Sequence, residues 1–106
     1  MVKTTDCYQT SGTAMLHHLV QLDDRFTDPH VVHGITHPTN RDIEHAWVVD
    51  GNVAYTVTSF SPAALVAFPL EHYYAVVEPR QMTTFTPNEV AQRIADGEYW
   101  EYWGTR

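Results

Sequence analysis

The sequence predicts an α+β domain, and three local patterns support this fold class. An apolar stripe at helical spacing lies near the N-terminus, two β-rich runs flank Asp50-Gly51, and a complete helix start follows at Thr86. The chain has 106 residues, enough for one domain and too few for two, and its 43% apolar content supports a buried core. We therefore expect one domain over residues 1–106, with an N-terminal helix packed on a small antiparallel sheet and a C-terminal helix.

The first predicted element is a helix from about Cys7 to Leu22. Met15, Leu19 and Leu22 recur at i, i+4 and i+7, which gives one apolar stripe along the helix. Gly12 lowers helix stability, and we expect it to let another backbone segment come close. Cys7 then stands in the first turn, where backbone N–H groups and the helix dipole favour a negative charge.

The middle of the chain predicts strands. Residues 30–35 have the pattern of a short strand, and residues 44–49 and 52–58 are β-rich runs separated by Asp50-Gly51. Asp-Gly between such runs is the preferred sequence for a two-residue hairpin turn. We therefore expect the two runs to pair as a β-hairpin.

The register of this hairpin decides which side chain faces His45. A turn at Asp50-Gly51 places Thr56 opposite His45. A turn one residue later, at residues 51–52, places Thr58 there instead. The sequence leaves both registers open.

Two further elements are predicted between the hairpin and residue 77. Ser61 can cap a helix and Pro62 suits the first helical position, so residues 61–67 predict a short helical turn. Residues 72–77 are rich in tyrosine and valine and predict another strand.

The most complete helix start in the sequence is at Thr86. Thr86 can cap the helix, a proline occupies the first helical position, and Glu89 completes a capping box. We expect this helix to end at Asp96, with Gly97 as the stop. The aromatic tail at residues 99–103 is expected to fold back onto the body of the domain.

The charge and composition of the chain limit its partners. Thirteen acidic against six basic residues give a net charge of −7, which disfavours nucleic acid and anionic membranes as partners. No apolar stretch approaches the roughly 20 residues of a membrane span, and the first residues lack the apolar core of a signal peptide. A lone cysteine, Cys7, can form no internal disulfide, so we expect a reducing compartment and a cytoplasmic location.

An ordered series of short motifs resembles a known group of proteins. The series begins with Cys7-Tyr8-Gln9 and continues with His45-Ala46-Trp47-Val48 and with Asp50-Gly51 leading to Tyr55. Tyr73-Tyr74 and Phe85-Thr86-Pro87-Asn88-Glu89 follow, and the series ends with Gly97-Glu98-Tyr99 and a tryptophan. It resembles small, mostly uncharacterised phage and bacterial proteins with a papain-like or transglutaminase-like core. In such proteins a cysteine at a helix start faces a histidine on a strand. Thr10 and Thr56 stand where the pattern has an asparagine and an acidic residue.

The resemblance implies a cysteine hydrolase or acyltransferase that acts on an amide or thioester, in a protein or a small molecule, without a cofactor. Cys7 is the implied nucleophile and His45 the general base. Thr56, or Thr58 in the other register, takes the place of the orienting carboxylate and can accept a hydrogen bond from Nδ1–H of His45. Oxyanion and substrate contacts are expected from Tyr8, Gln9 and Trp47.

A second interpretation keeps this scaffold without the chemistry. A catalytically degenerate protein of phage type can bind and inhibit a host protein. The missing acidic residue, the net negative charge and the aromatic tail are compatible with such a role.

The seven histidines suggest a third interpretation, a metal site. His30, His33 and His37 have the spacing H-x2-H-x3-H. The β-branched residues among them favour a strand or loop, where this spacing suits a metal less well than on a helix. We therefore expect no metal, and we expect exposed histidines with His33 packing near the site.

Overall fold

A computed structural model describes residues 4–21, 25–37, 42–58, 61–98 and 103. The helices are α1 (Thr4–Leu19), α2 (Leu70–Val77) and α3 (Pro87–Ala95), and the strands are β1 (His30–Thr36), β2 (Ile43–Asp50), β3 (Val53–Thr58), β4 (Ser61–Pro69) and β5 (Arg80–Phe85). The strands form one antiparallel sheet in the order β4-β3-β2-β1-β5. The predicted α+β class is therefore confirmed, with a helix at each end of the described chain.

The side chains of β2 alternate between two packed layers. Val48 packs with residues of α1 and α3, whereas Trp47 packs with residues of α2. The sheet is thus covered on both faces. The first layer contains Ala14, Met15, Phe26, Val31, Val48, Phe85 and Val90, and the second contains Val32, Trp47, Ala54, Tyr73 and Val77.

Gly34 in β1 permits the close packing of Trp47. A Cβ atom at position 34 would lie 3.0 Å from Cη2 of Trp47 and 3.3 Å from the carbonyl oxygen of Arg80. Trp47 is completely buried, so its ring has little room to move aside. The absence of a side chain at Gly34 therefore lets the indole lie directly on the sheet.

The β2–β3 hairpin forms in the second of the two expected registers. Val48 pairs with Tyr55, so the turn lies at residues 51–52 and the direct pairing of His45 with Thr56 is wrong. Within this hairpin, which the structure describes throughout, the pairing ends at Val48 and Tyr55. The two strands therefore run unpaired toward His45.

Two predictions between residues 61 and 77 are wrong. The expected helical turn at residues 61–67 is part of β4, and the expected strand at residues 72–77 is α2. β4 lies at the edge of the sheet, where a proline is tolerated because one side of the strand needs no partner. Tyr73 and Val77 are both buried on α2, and their spacing of four residues is helical.

The helix predicted at Thr86 is confirmed. The Thr86 side chain accepts a hydrogen bond of 3.1 Å from the Glu89 N–H, and the Thr86 N–H donates one of 3.0 Å to the Glu89 carboxylate. Gly97 follows the helix with a φ of 86°, a conformation that favours glycine. The predicted packing of the tail at residues 99–102 lies outside the described residues, whereas Trp103 is half-buried against the first layer. Within the described residues, no helix combines the length and apolar character needed to cross a membrane.

Candidate functional site

A cavity of about 780 Å³ lies between α2 and the sheet. Its size is within the usual range of small-molecule sites, roughly 300–1,000 Å³. The wall is mainly apolar, with Ile43, Phe68 and Val77 among its residues, and its polar side chains include His45, Thr56 and Tyr73. An apolar cavity with a few polar groups gathered in one place is typical of a ligand-binding or active site.

The polar side chains form a short hydrogen-bonded row. Nε2 of His45 lies 2.8 Å from Oγ1 of Thr56, and the Tyr73 hydroxyl lies 3.5 Å from the same oxygen. The Thr56 hydroxyl, which has one hydrogen, is also 3.3 Å from the carbonyl oxygen of Val57. If Thr56 donates to that carbonyl, its oxygen accepts from His45 and Tyr73.

In that case the two ring nitrogens of His45 have different roles. With Nε2–H donating to Thr56, Nδ1 is the unprotonated, basic nitrogen of the neutral ring. The expectation that Nδ1–H meets Thr56 is therefore wrong, because Nε2 makes that contact. Thr56 does orient the imidazole. It is a diagonal neighbour of His45 across the two strands and is not paired directly with it.

Burial keeps the ionisable groups of the row uncharged. Desolvation lowers the pKa of His45 from 6.5 to about 4, because a charged ring loses its hydration in the fold. Burial raises the pKa of Tyr73 from 10.0 to about 12, against the opposing effect of its hydrogen bond to Thr56. Thr56 brings no charge that would stabilise an imidazolium, so His45 is neutral at physiological pH.

Cys7 approaches the site from the opposite layer. Its side chain is 2% exposed and packs with Ala46 and Val57, the chain neighbours of His45 and Thr56. Successive strand residues point to opposite faces, so Cys7 lies on the α1 side of the sheet and the His45 ring on the α2 side. α1 begins at Thr4, so Cys7 is the fourth helical residue rather than the first.

An electrostatic link joins the two layers. Cys7 is close enough to Tyr73 to contribute to the raised pKa of that phenol. The unpaired stretch of β2 and β3 lies between Ala46 and Val57, where the sheet is open to a side chain from α1. Among the described residues, those that line the cavity do not include Cys7. The structure therefore brings His45 and Thr56 into contact on one face of the sheet. The Cys7 thiol lies on the other face, against their chain neighbours Ala46 and Val57.

The other expected site residues take different positions. Gln9 is exposed on α1, and the Tyr8 ring is buried 5.2 Å from the ring of His33. Trp47 is a core residue whose ring stacks on His45 at 5.9 Å and whose Nε1–H donates to the Tyr74 hydroxyl at 3.2 Å. Trp47 therefore packs against the imidazole of His45 and does not line the cavity.

Tyr73 is the site residue that sequence reasoning missed. It was assigned to a strand, in which its side chain has no defined relation to Thr56. Its helical spacing from Val77 was the available signal. That spacing indicates a helix at Tyr73 but does not give the position of the helix on the sheet.

The histidine cluster considered as an alternative metal site does not form among the described residues. No group of three His, Cys, Asp or Glu side chains there lies close enough to hold a metal ion. His33 is buried among aromatic rings, and Nδ1 of His37 pairs with Asp42 at 3.1 Å. The alternative of a metal site at these histidines has no support in this part of the chain.

No family model, curated protein or solved structure matches the chain. The fold class is α+β, and the candidate site is a buried histidine, threonine and tyrosine at an apolar cavity with a cysteine in the adjoining layer.

Proposed function

We propose that this chain is a cysteine hydrolase or acyltransferase of papain-like type, with Cys7 as nucleophile and His45 as general base. The observation that carries the proposal is the 2.8 Å hydrogen bond between Nε2 of His45 and Oγ1 of Thr56. It holds the ring in place, and in the tautomer with its proton on Nε2 it leaves Nδ1 to take a proton. The lone cysteine also suits the reducing cytoplasm, where we place the protein.

The proposed reaction is acyl transfer through a thioester. Nδ1 of His45 takes the thiol proton while the Cys7 sulfur attacks the carbonyl carbon of an amide or ester. The imidazolium then gives that proton to the leaving nitrogen or oxygen, and water or another acceptor releases the acyl group. Thr56 keeps the ring in place throughout, with less stabilisation of the imidazolium than a carboxylate supplies.

The route of the thiol to the substrate is the open stretch between β2 and β3. Cys7 packs there on Ala46 and Val57, and Val57 also lines the cavity. Reaction requires a movement of β3 or of the start of α1, because the thiol and the imidazole lie on opposite faces of the sheet. Because the resting His45 is neutral and the thiol is buried, we expect slow chemistry that depends on this movement.

The test is acylation of the intact protein by p-nitrophenyl acetate, followed by mass spectrometry. We expect an adduct on Cys7 that is absent in Cys7→Ala and forms about 100-fold more slowly in His45→Gln. His17→Gln is the matched control, because His17 is exposed on α1. Labelling of Cys7 at the rate of free cysteine, or equal rates in His45→Gln and wild type, would contradict the proposal.

A second candidate function is protein binding by a degenerate form of the same scaffold. Two observations favour it: Cys7 is 2% exposed, and the partner of His45 is an uncharged threonine. In this case the protein binds and inhibits a host protein without chemistry. Production of wild type and Cys7→Ala in the same bacterial host separates the candidates, because equal effects on growth favour binding and loss of the effect favours catalysis.

A further inference from the structure

We propose that the cavity between α2 and the sheet binds the uncharged aliphatic chain of an acyl amide or ester, with its carbonyl end toward His45. The placement of the carbonyl rests on the proposed function, whereas the burial of the chain does not. The shape and chemistry of the cavity indicate this class of substrate.

The walls of the cavity supply apolar contact on several sides. Ile43, Val57, Phe68, Val76 and Val77 all line it, and none of these side chains can form a hydrogen bond. A cavity of about 780 Å³ has room for a chain of several methylene groups. Each buried methylene is worth about fourfold in affinity, so a site of this kind discriminates by chain length.

The lining of the cavity disfavours an ionised ligand. Among the described residues that line it there is no Lys, Arg, Asp or Glu, and its two histidines are the buried His45 and the exposed His72. His45 is neutral because desolvation lowers its pKa to about 4. A carboxylate placed beside His45 would lose its hydration without gaining a counter-charge there, and the net charge of −7 opposes its approach.

The polar row can hold a carbonyl group at one end of the cavity. The Tyr73 hydroxyl is 3.5 Å from Thr56, longer than an ordinary hydrogen bond between two hydroxyl groups. Its hydrogen is therefore available to a better acceptor, such as a ligand carbonyl oxygen. A single acceptor among apolar contacts would orient the chain with its carbonyl next to His45.

The mouth of the cavity provides a matched pair of positions for the test. Val76 lines the cavity and is nevertheless 66% exposed, so a substitution there can change the entrance without disturbing the core. Ala75 is its neighbour on α2, is also exposed, and is not among the lining residues. Val76→Asp therefore adds a carboxylate at the entrance, and Ala75→Asp adds the same charge to the same helix outside it.

The binding experiment uses full-length Cys7→Ala protein, so that no reaction complicates it. Octanamide, hexanamide and octanoate are titrated while the ring resonances of His45 and Tyr73 are followed by NMR. We expect saturable binding of octanamide, about 16-fold weaker binding of hexanamide, and at least about tenfold weaker binding of octanoate. Val76→Asp should weaken octanamide binding by about tenfold, and Ala75→Asp should leave it unchanged.

Two results would overturn the inference. One is the absence of saturable octanamide binding in the Ala75→Asp control as well as in the parent protein. The other is equal affinity for octanamide and octanoate. Failure of the proposed function has a different signature, since octanamide would still bind while wild-type protein forms no adduct with p-nitrophenyl octanoate.

Discussion

The indole ring of Trp103 stacks on the imidazole of His33, with ring centroids 5.2 Å apart and an interplanar angle of 17°. The backbone N–H of the same Trp103 donates a 2.9 Å hydrogen bond to Nδ1 of His33. The rings of Tyr8 and Phe85 lie at 5.2 Å on other sides of the imidazole. One neutral histidine on an interior strand therefore attaches Trp103 to the first layer.

Replacement of His33 should weaken the attachment of Trp103. His33→Phe keeps an aromatic ring but leaves the Trp103 N–H without its acceptor, so we expect the free energy of unfolding to fall by about 1–3 kcal/mol. Urea denaturation followed by tryptophan fluorescence measures the change. His17→Phe at an exposed position of α1 should stay within about 0.5 kcal/mol of wild type, and an equal loss in both variants would contradict the role of the hydrogen bond.

Mild acid should destabilise the fold. Burial lowers the pKa of both His33 and His45 from 6.5 to about 4, aided at His33 by the charges of Arg93 and His45. Between these two pH values the unfolded chain binds protons that the folded chain does not, so stability falls as pH falls. We expect a loss of about 1.4 kcal/mol per pH unit for each histidine in this interval.

The pH effect is checked by urea denaturation at about pH 7, pH 6 and pH 5. His45→Gln should reduce the slope of stability against pH, because one of the two titrating groups is removed. A flat profile between about pH 7 and pH 5 would show that neither imidazole is kept neutral by the fold.

The hydroxyl of Thr56 should matter more than its methyl group. Thr56→Val preserves the volume but removes the partner of His45 and Tyr73, so we expect a loss of about 1–3 kcal/mol in stability and slower acylation of Cys7 by about tenfold. Thr56→Ser keeps the oxygen and should retain the acylation rate within about threefold. Mass-spectrometric rates and urea denaturation test the pair, and equal acylation rates in both variants would remove Thr56 from the mechanism.

Gly34 should tolerate no side chain. In Gly34→Ala the new Cβ meets Trp47 at 3.0 Å and the Arg80 backbone at 3.3 Å, so we expect a loss of about 1–3 kcal/mol. The Nε1–H resonance of Trp47 should move, because its hydrogen bond to Tyr74 is next to the strain. An unchanged Tm together with an unchanged Trp47 resonance would contradict this packing.

The capping box of α3 should contribute measurably to the stability of the fold. Thr86→Ala removes the acceptor of the Glu89 N–H, and loss of such a cap typically costs about 1 kcal/mol. Thr86→Ser retains the oxygen and should remain close to wild type. Thermal unfolding of the two variants gives the comparison, and equal Tm values would show that the box does not stabilise the helix.

Local sequence patterns were enough to predict the elements whose structure depends on interactions between residues close in the sequence. The capping box at Thr86 follows from side chains three residues apart, and the hairpin follows from a turn sequence between β-rich runs. The sequence did not fix the hairpin register, since two turns one residue apart were equally compatible. The observed register sets Val48 opposite Tyr55.

Residues 61–77 show where local patterns fail. A short apolar run can be a strand or one side of a helix, and length or period distinguishes them poorly over eight residues. β4 is a strand because the edge of β3 was available for pairing, and α2 covers the exposed face of the sheet. Both features depend on contacts between elements that are distant in the sequence, so the sequence alone did not predict the cavity or the role of Tyr73. It did indicate that His45 and Thr56 lie close together.

The shortness of α2 has a consequence for how this protein could diversify. Its eight residues extend about 12 Å, whereas five strands side by side extend about 19 Å. The helix packs on β3 and β4, and the hollow that it bounds is the cavity beside His45 and Thr56. An inserted or deleted turn at the end of α2 would resize that hollow without altering any strand, so relatives with different ligands need differ in little more than the length of one helix.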